Sequence, residues 1–201
     1  MPGSDTAEGP ADPRARVAAA MAAVPREHFL PPDQRRFAGV DRALPIGHDV
    51  TNSQPSTVRA MLELLDPRPG HRVLDVGCGS GWTTALLAHL TAPGGHVTGV
   101  EILPEVLALG ARHLAALGPS PGVDLHEARP GVLGWPEGAP YDRVLVSADA
   151  EHVPLALVEQ LTPDGTFVGP VRGRMLRIRR QPGAEPLVDE HGRYVFVPLV
   201  S

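Results

Sequence analysis

Apolar and polar positions along this chain change period repeatedly. Short apolar runs of strand length alternate with segments whose apolar residues recur at helical spacing. Strands are predicted at Arg72–Val76, His96–Glu101, Val123–Glu127, Asp142–Ser147 and Gly165–Val171. Helices are predicted between them at Trp82–Leu90, Pro104–Leu117 and Pro154–Leu161, with a Pro/Gly-rich loop after the third strand. Met175–Arg179 and Gly192–Leu199 read as a terminal hairpin. Upstream, Arg14–Ala23 is an alanine-rich helix, and Val24–Pro32 ends it in an extended turn. Phe37–Val50 reads as irregular. Ser53–Leu65 is a helix whose first turn suits Pro55 and whose apolar face is Val58, Met61, Leu62 and Leu65. Residues 1–13 are polar, rich in Gly, Pro and Ser, and read as a disordered tail.

Alternating βα units predict an α/β fold, a doubly wound and mostly parallel sheet that binds ligands at the carboxyl ends of its strands. At 201 residues the chain suits one domain, 14–201, with a helical N-terminal addition (14–66) on a core (67–201). No internal repeat is visible.

The chemistry is concentrated in Arg72-Val-Leu-Asp-Val-Gly-Cys-Gly-Ser-Gly-Trp82. An apolar strand runs into Asp75, then Gly77, Gly79 and Gly81 alternate, then a helix begins. Glycines let the backbone turn tightly and approach a ligand closely, and the helix aims its first amides at that ligand. A dinucleotide fingerprint would place a small residue where Trp82 stands, to pack helix on strand beneath a pyrophosphate. Here the third glycine comes one residue early and a carboxylate precedes the loop. That favours a cationic ligand without phosphate, such as S-adenosyl-L-methionine with its ammonium and sulfonium. About twenty residues on, a second strand ends at Glu101, whose carboxylate suits a pair of ribose hydroxyls. The alternative is a structural βα turn with a solvated Glu101. The expected cofactor contacts are Asp75, Gly77, Cys78, Gly79, Ser80, Gly81, Glu101, Ile102 and Ser147.

Composition removes other classes. The net charge is −5, from 18 basic and 23 acidic residues, with no basic stripe for a nucleic-acid backbone. One cysteine excludes a disulfide within the chain, which fits a reducing cytosol. No stretch has the length of a membrane span and no secretory leader is recognised, so a cytoplasmic protein, and a monomer, is expected. The nine histidines show no ligand set, and Cys78 between glycines reads as a small buried residue.

Seven motifs carry a resemblance: Val24-Pro-Arg-Glu-His-Phe-Leu-Pro31, Leu44-Pro-Ile-Gly47, Thr51-Asn-Ser-Gln-Pro55, Leu74–Gly81, Gly134–Asp142, Pro154–Leu161 and Phe196-Val-Pro-Leu199. By these the chain resembles the protein-L-isoaspartate O-methyltransferase family over nearly its whole length. The resemblance implies a Rossmann-like class I methyltransferase fold, with S-adenosylmethionine as cofactor and a protein or peptide carboxylate as acceptor. It further implies repair: an isoaspartyl carboxylate is esterified, and the ester collapses to a succinimide that reopens partly to aspartate. The segment matching Thr51–Pro55 would be the acceptor wall, with Ser53 and Thr51 orienting the acceptor. On the residues alone, Ser53 is a hydroxyl just before an N1-type proline at a helix start that favours an anion, with a plain N-cap at Ser53 or Asn52 as the alternative.

Two departures accompany the resemblance. Where the family has an acid contacting the adenine amino group, Pro130 stands here, and Glu127 is the nearby candidate to replace it. The family's glutamine before the threonine is Val50, and an apolar position is Asn52. They motivate two rivals: the same scaffold methylating a biosynthetic peptide or small molecule, and a cofactor-binding homologue without activity. Asp149, Glu151 and His152 read either as pocket lining or as solvated loop. Arg172, Arg174, Arg177, Arg179 and Arg180 read as a solvated edge hairpin, with a peptide-carboxylate docking patch as the alternative.

Overall fold

Four consecutive buried residues, Val73 to Val76, identify β3 (Arg72–Val76) as a central strand covered on both faces. In the computed structural model, which describes residues 12–118 and 122–200, it lies third in a seven-stranded sheet. The other strands are β4 (His96–Glu101), β5 (Val123–Glu127), β6 (Tyr141–Val146), β7 (Leu161–Val171), β8 (Arg174–Gln181) and β9 (Ala184–Arg193). Their order is β5-β4-β3-β6-β7-β8-β9, parallel from β5 to β7 and antiparallel thereafter. The expected tail falls almost wholly outside the described residues.

Strand alternation sorts the core into two layers. Val73, Val97, Leu145 and Val168 pack with α1 (Pro13–Ala23), α2 (Pro55–Leu65) and α3 (Trp82–Thr91). Leu74, Val76, Val144, Val146 and Phe167 pack on the other face with α5 (Leu155–Val158). Helix α4 (Pro104–Ala116) connects β4 to β5, and its Leu114 packs in the first of these layers. The strands β3 to β6 and helices α1 to α4 follow the sequence pattern within a few residues.

Three local readings are corrected. The segment read as irregular holds a small hairpin, β1 (Leu44–Gly47) with β2 (Val50–Asn52). Leu44 and Ile46 turn inward, and His48 and Asp49 take left-handed backbone (φ 54° and 57°), the geometry of a two-residue hairpin turn. The helix after β6 has only four residues, because Leu161 already enters β7 and pairs with Tyr141. The partner of β8 is β9, not Gly192–Leu199. Most of β9 is exposed, so it carries no apolar alternation to read. The apolar residues that mimicked a strand, Phe196 and Leu199, instead pack against the core from an extended C-terminal segment.

The N-terminal addition is held by polar bonds as well as packing. Trp82 at the start of α3 donates its indole Nε1 to the Val24 carbonyl at 3.1 Å. Arg26, only 5 % exposed, spreads its guanidinium among carbonyls of two segments. Nη1 donates to Ala38 and Val40, Nη2 to Arg42, Asn52 and Ser53, and Nε to the Asn52 side chain at 2.6 Å. Its plane also lies 5.6 Å from the Trp82 ring centre. Burial pulls its pKa down to about 10, against the opposing charge of Asp41, so it stays cationic at neutral pH.

Replacing Arg26 leaves several buried carbonyls without donors. Arg26→Met is therefore expected to lower unfolding free energy by about 3–5 kcal/mol. Arg26→Lys, which keeps charge but loses the fork, should fall between. Denaturant titration decides this, and a variant as stable as the parent would contradict the assignment.

Candidate active site

The carboxyl ends of β3, β4 and β6 open into one cavity of about 1180 Å³. Its floor is the glycine loop after β3, and one wall is Thr51–Ser53 at the end of β2. The C-terminal segment Tyr194–Val200 and the turn between β7 and β8 border it as well.

The loop is fixed from every side. Gly77 and Cys78 donate their amides to the Val100 carbonyl at 2.8 and 3.1 Å, tying it to β4. Gly79 donates to Glu101 Oε2 at 3.0 Å. Gly81, at φ 87°, caps α3 from below the loop. A side chain there would meet the Gly110 carbonyl at 3.1 Å, and one on Gly110 would meet the Gly79 carbonyl at 2.7 Å. Helix α4 therefore reaches the loop only because both positions lack Cβ. Gly110 was not singled out from sequence; a glycine inside a strong helical pattern is the signal.

Glu101 is 7 % exposed and lines the cavity. Its Oε1 accepts from Ile102 and Leu103 amides at 2.9 and 3.1 Å, so the carboxylate braces the β4 end and the loop together. Ser147 meets the loop at Gly77 and donates its amide to the Val76 carbonyl. Of the predicted cofactor residues, Gly77, Cys78, Gly79, Ser80, Glu101, Ile102 and Ser147 border this cavity.

Asp75 and Gly81 stand behind the wall instead, although the sequence suggested direct contact. Strand alternation turns Asp75 toward α3, where it is fully buried and accepts a 2.7 Å bond from the Thr84 hydroxyl. Its other oxygen has no partner. Burial pushes its pKa up to about 7, the Glu101 charge adds to the rise, and the Thr84 bond opposes it. The Cys78 thiol is likewise pushed well above its ordinary range by burial.

The Thr51–Ser53 wall is attached to the loop by one bond: Asn52 Nδ2 donates to Ser80 Oγ at 2.9 Å. Asn52 Oδ1 accepts from Arg26, so this departure from the resembled pattern is a buried strut. Sequence reading found neither Arg26 nor this role, because the partners lie 26 and 28 residues apart. Thr51 is exposed and Ser53 half-buried on the cavity wall. Neither Ser53 nor Asn52 caps α2: the N-cap residue is Gln54, whose side chain accepts no bond from the helix amides. Asp41 serves that helix end, accepting from the Ser56 amide at 2.8 Å and from Gln54 at 3.0 Å. These bonds, the Ser56 amide first, hold the Asp41 carboxyl below its ordinary pKa.

Past β5 the cavity is bordered by Ala128, Val132, Leu133 and Gly134. Glu127, at the end of β5, is exposed and does not border the cavity, whereas its neighbour Ala128 does. Asp149, Glu151 and His152 surround a shallower depression next door, and Asp149 binds the Gly173 amide with both oxygens. Among the described residues no group of three His, Cys, Asp or Glu is arranged for a metal, and no helix is long and apolar enough to cross a membrane.

The family model described as Protein-L-isoaspartate(D-aspartate) O-methyltransferase (PCMT) matches residues 11–201. A protein-L-isoaspartate O-methyltransferase of Methanopyrus kandleri is 44% identical over 190 residues, covering 92% of this chain and 84% of the relative. One of Myxococcus xanthus is 42% identical over 194 residues, covering 93% and 89%. Among solved structures, a protein-L-isoaspartate O-methyltransferase superposes with TM-score 0.81 at 25% identity, over 92% of this chain and 61% of its own. A Plasmodium falciparum beta-aspartate methyltransferase in complex with S-adenosyl-L-homocysteine superposes at 0.80 with 22% identity, over 92% and 89%. The family model spans almost every residue, the relatives cover more than nine-tenths of the chain, and this chain belongs to the protein-L-isoaspartate O-methyltransferase family.

Proposed function

We propose that this chain is an S-adenosylmethionine-dependent carboxyl O-methyltransferase acting on L-isoaspartyl residues of proteins or peptides. The observation that carries the reading is the shared cavity: the hydroxyl-bearing wall at Thr51 and Ser53 is bonded through Asn52 to the Ser80 loop. Acceptor groups and cofactor cradle are therefore neighbours. The lone, buried Cys78 and the net charge of −5 support a cytosolic setting and an acceptor other than nucleic acid.

The residues present fit the cofactor. Gly77 and Gly79 keep the loop low, and Glu101 offers a carboxylate at the β4 end. The cavity has room for a nucleoside and an amino-acid tail together with an acceptor side chain. When bound, S-adenosylmethionine supplies a methyl group on a positively charged sulfur. A carboxylate acceptor with an ordinary pKa of about 4 is already ionised at neutral pH, so no general base is required of the protein. The task left to Thr51 and Ser53 is to hold the acceptor oxygen in line, and the apolar wall excludes water. Assay with labelled methyl donor tests the whole reading: an isoaspartyl peptide should be methylated and its aspartyl isomer should not. Equal inertness of both would overturn it.

Ser53 caps nothing, so Ser53→Ala should leave melting nearly unchanged and cofactor affinity within about twofold, while turnover falls roughly tenfold to a hundredfold. Paired measurement of melting and methyl transfer on this one variant decides it; intact turnover would remove Ser53 from the site.

Glu101→Ala should weaken cofactor affinity by about a hundredfold, roughly 3 kcal/mol. Because Gly79, Ile102 and Leu103 amides also lose their acceptor, the melting temperature should drop with it. Calorimetry and thermal melting together check this, and unchanged affinity in a folded variant would contradict it.

Asp75 gives a pH signature. Its pKa of about 7 in the fold exceeds its ordinary value near 4, so the folded state holds an extra proton between those limits. The linked stability is complete below about pH 4 and is lost as pH rises through 7, by up to a few kcal/mol, on the order of 1.4 per pKa unit. Asp75→Asn should remove that slope from the difference between parent and variant, measured by denaturant titration from pH 4 to 8. An identical slope in both would place the titration elsewhere.

A further inference from the structure

The arginines of the C-terminal hairpin are not equivalent. Arg174 pairs with Glu190, Arg177 and Arg179 share Asp189, and Arg180 donates to the Leu161 carbonyl. Arg172 and Arg193 have no ion pair among the described residues, and these two border the large cavity. Arg172 also borders the shallower depression beside Asp149, which puts it on the rim where the cavity opens.

The turn that carries Arg172 is built to stay in place. Arg172 and Gly173 form a two-residue connection from β7 to β8, both with left-handed backbone (φ 52° and 72°). Such turns favour Asn or Gly at the first position, so an arginine there costs backbone strain. The Arg172 amide donates to the Ala150 carbonyl at 2.9 Å, and the Gly173 amide donates to Asp149. The Gly173 carbonyl accepts from the Tyr194 amide at 2.9 Å, which brings Arg193 alongside. Asp149 is engaged in this turn and Glu101 in the loop, while Glu151 shares the shallower depression with Arg172 but forms no ion pair with it. A chain of net charge −5 thus presents two unpaired guanidinium groups at the entrance of its cavity.

We propose that Arg172 and Arg193 are specificity residues that bind a second carboxylate of the acceptor peptide, one flanking the residue to be methylated. This rests on the function proposed above. The reacting carboxylate must keep a lone pair free for the methyl group. A rim position suits a neighbouring anion that anchors the peptide without engaging the reacting oxygen. Planar guanidinium forks match carboxylates in two parallel bonds. The second carboxylate can come from an acidic side chain or from the peptide's own C-terminus.

Three isoaspartyl peptides separate these sources: neutral flanks with an amidated end, glutamate flanks with an amidated end, and neutral flanks with a nearby free C-terminal carboxylate. KM and kcat are measured for the parent, for R172Q/R193Q and for R172K/R193K. Calorimetry with S-adenosylhomocysteine present gives peptide affinity without turnover. One or both carboxylate-bearing peptides should show a KM about fivefold below the neutral one, an advantage that high salt weakens and the double glutamine variant loses. The lysine variant should recover part of it. R172G should melt higher while losing part of the preference, an outcome that a merely structural arginine would not produce. Equal KM for all three peptides in the parent, or a preference that survives in R172Q/R193Q, would overturn the proposal. If no peptide is methylated, the proposed function falls instead, and the calorimetric ranking alone still decides the role of the arginines.

Discussion

One buried cation holds the two halves of the site in register. Arg26 bonds the 38–42 segment and Asn52 and Ser53 within the N-terminal addition, and Asn52 carries the link on to Ser80 of the glycine loop. A charge removed from water is tolerated only when its hydrogen-bonding capacity is filled. Here several carbonyls and one amide oxygen fill it, and each of them is fixed in return. The Thr51–Ser53 wall of the cavity therefore inherits its position from a residue outside the sheet. The same residue stacks near Trp82, which starts the helix behind the cofactor loop.

The loop itself is rigid for a different reason. It has almost no side-chain bulk, so its order comes from neighbours that approach closely: Gly110 of α4, the Val100 carbonyl and the Glu101 carboxylate. A ligand entering this cradle meets amides and carbonyls that are already oriented. Less ordering entropy then opposes binding. Asp75 lies one layer deeper and supports the start of α3 through Thr84. An acidic residue that looked like a ligand in sequence is a foundation in the structure.

Much of this was readable from the sequence, and what was not has a physical pattern. Strands β3, β4 and β6 and helices α2 to α4 bury one face or both, and β5 turns Val123 and Leu125 partly inward, so apolar period marked them. The glycine loop and Glu101, which border the cavity, stand out in sequence because glycine spacing and a strand-end acid are local signals. Arg26, Asn52 and Gly110 act across the fold, through partners tens of residues away, and no window of sequence contains both ends of such a contact. Strand β9 escaped because it is solvent-exposed and its side-chain contacts to β8 are ion pairs, which leave no apolar period to read. Asn52, which looked like a departure at the acceptor, is instead the strut that joins Arg26 to Ser80.

Cys78 gives the architecture a further property. It is the sole thiol of the chain, 4 % exposed, lodged between two loop glycines and next to two carboxyl groups that disfavour its thiolate. Oxidants and electrophiles react with thiolates that they can reach. This thiol is both protonated and shielded, so the loop has no handle for peroxide or for mixed disulfides. The cradle of this repair enzyme family member therefore carries no accessible thiol through which the surrounding redox state could switch it.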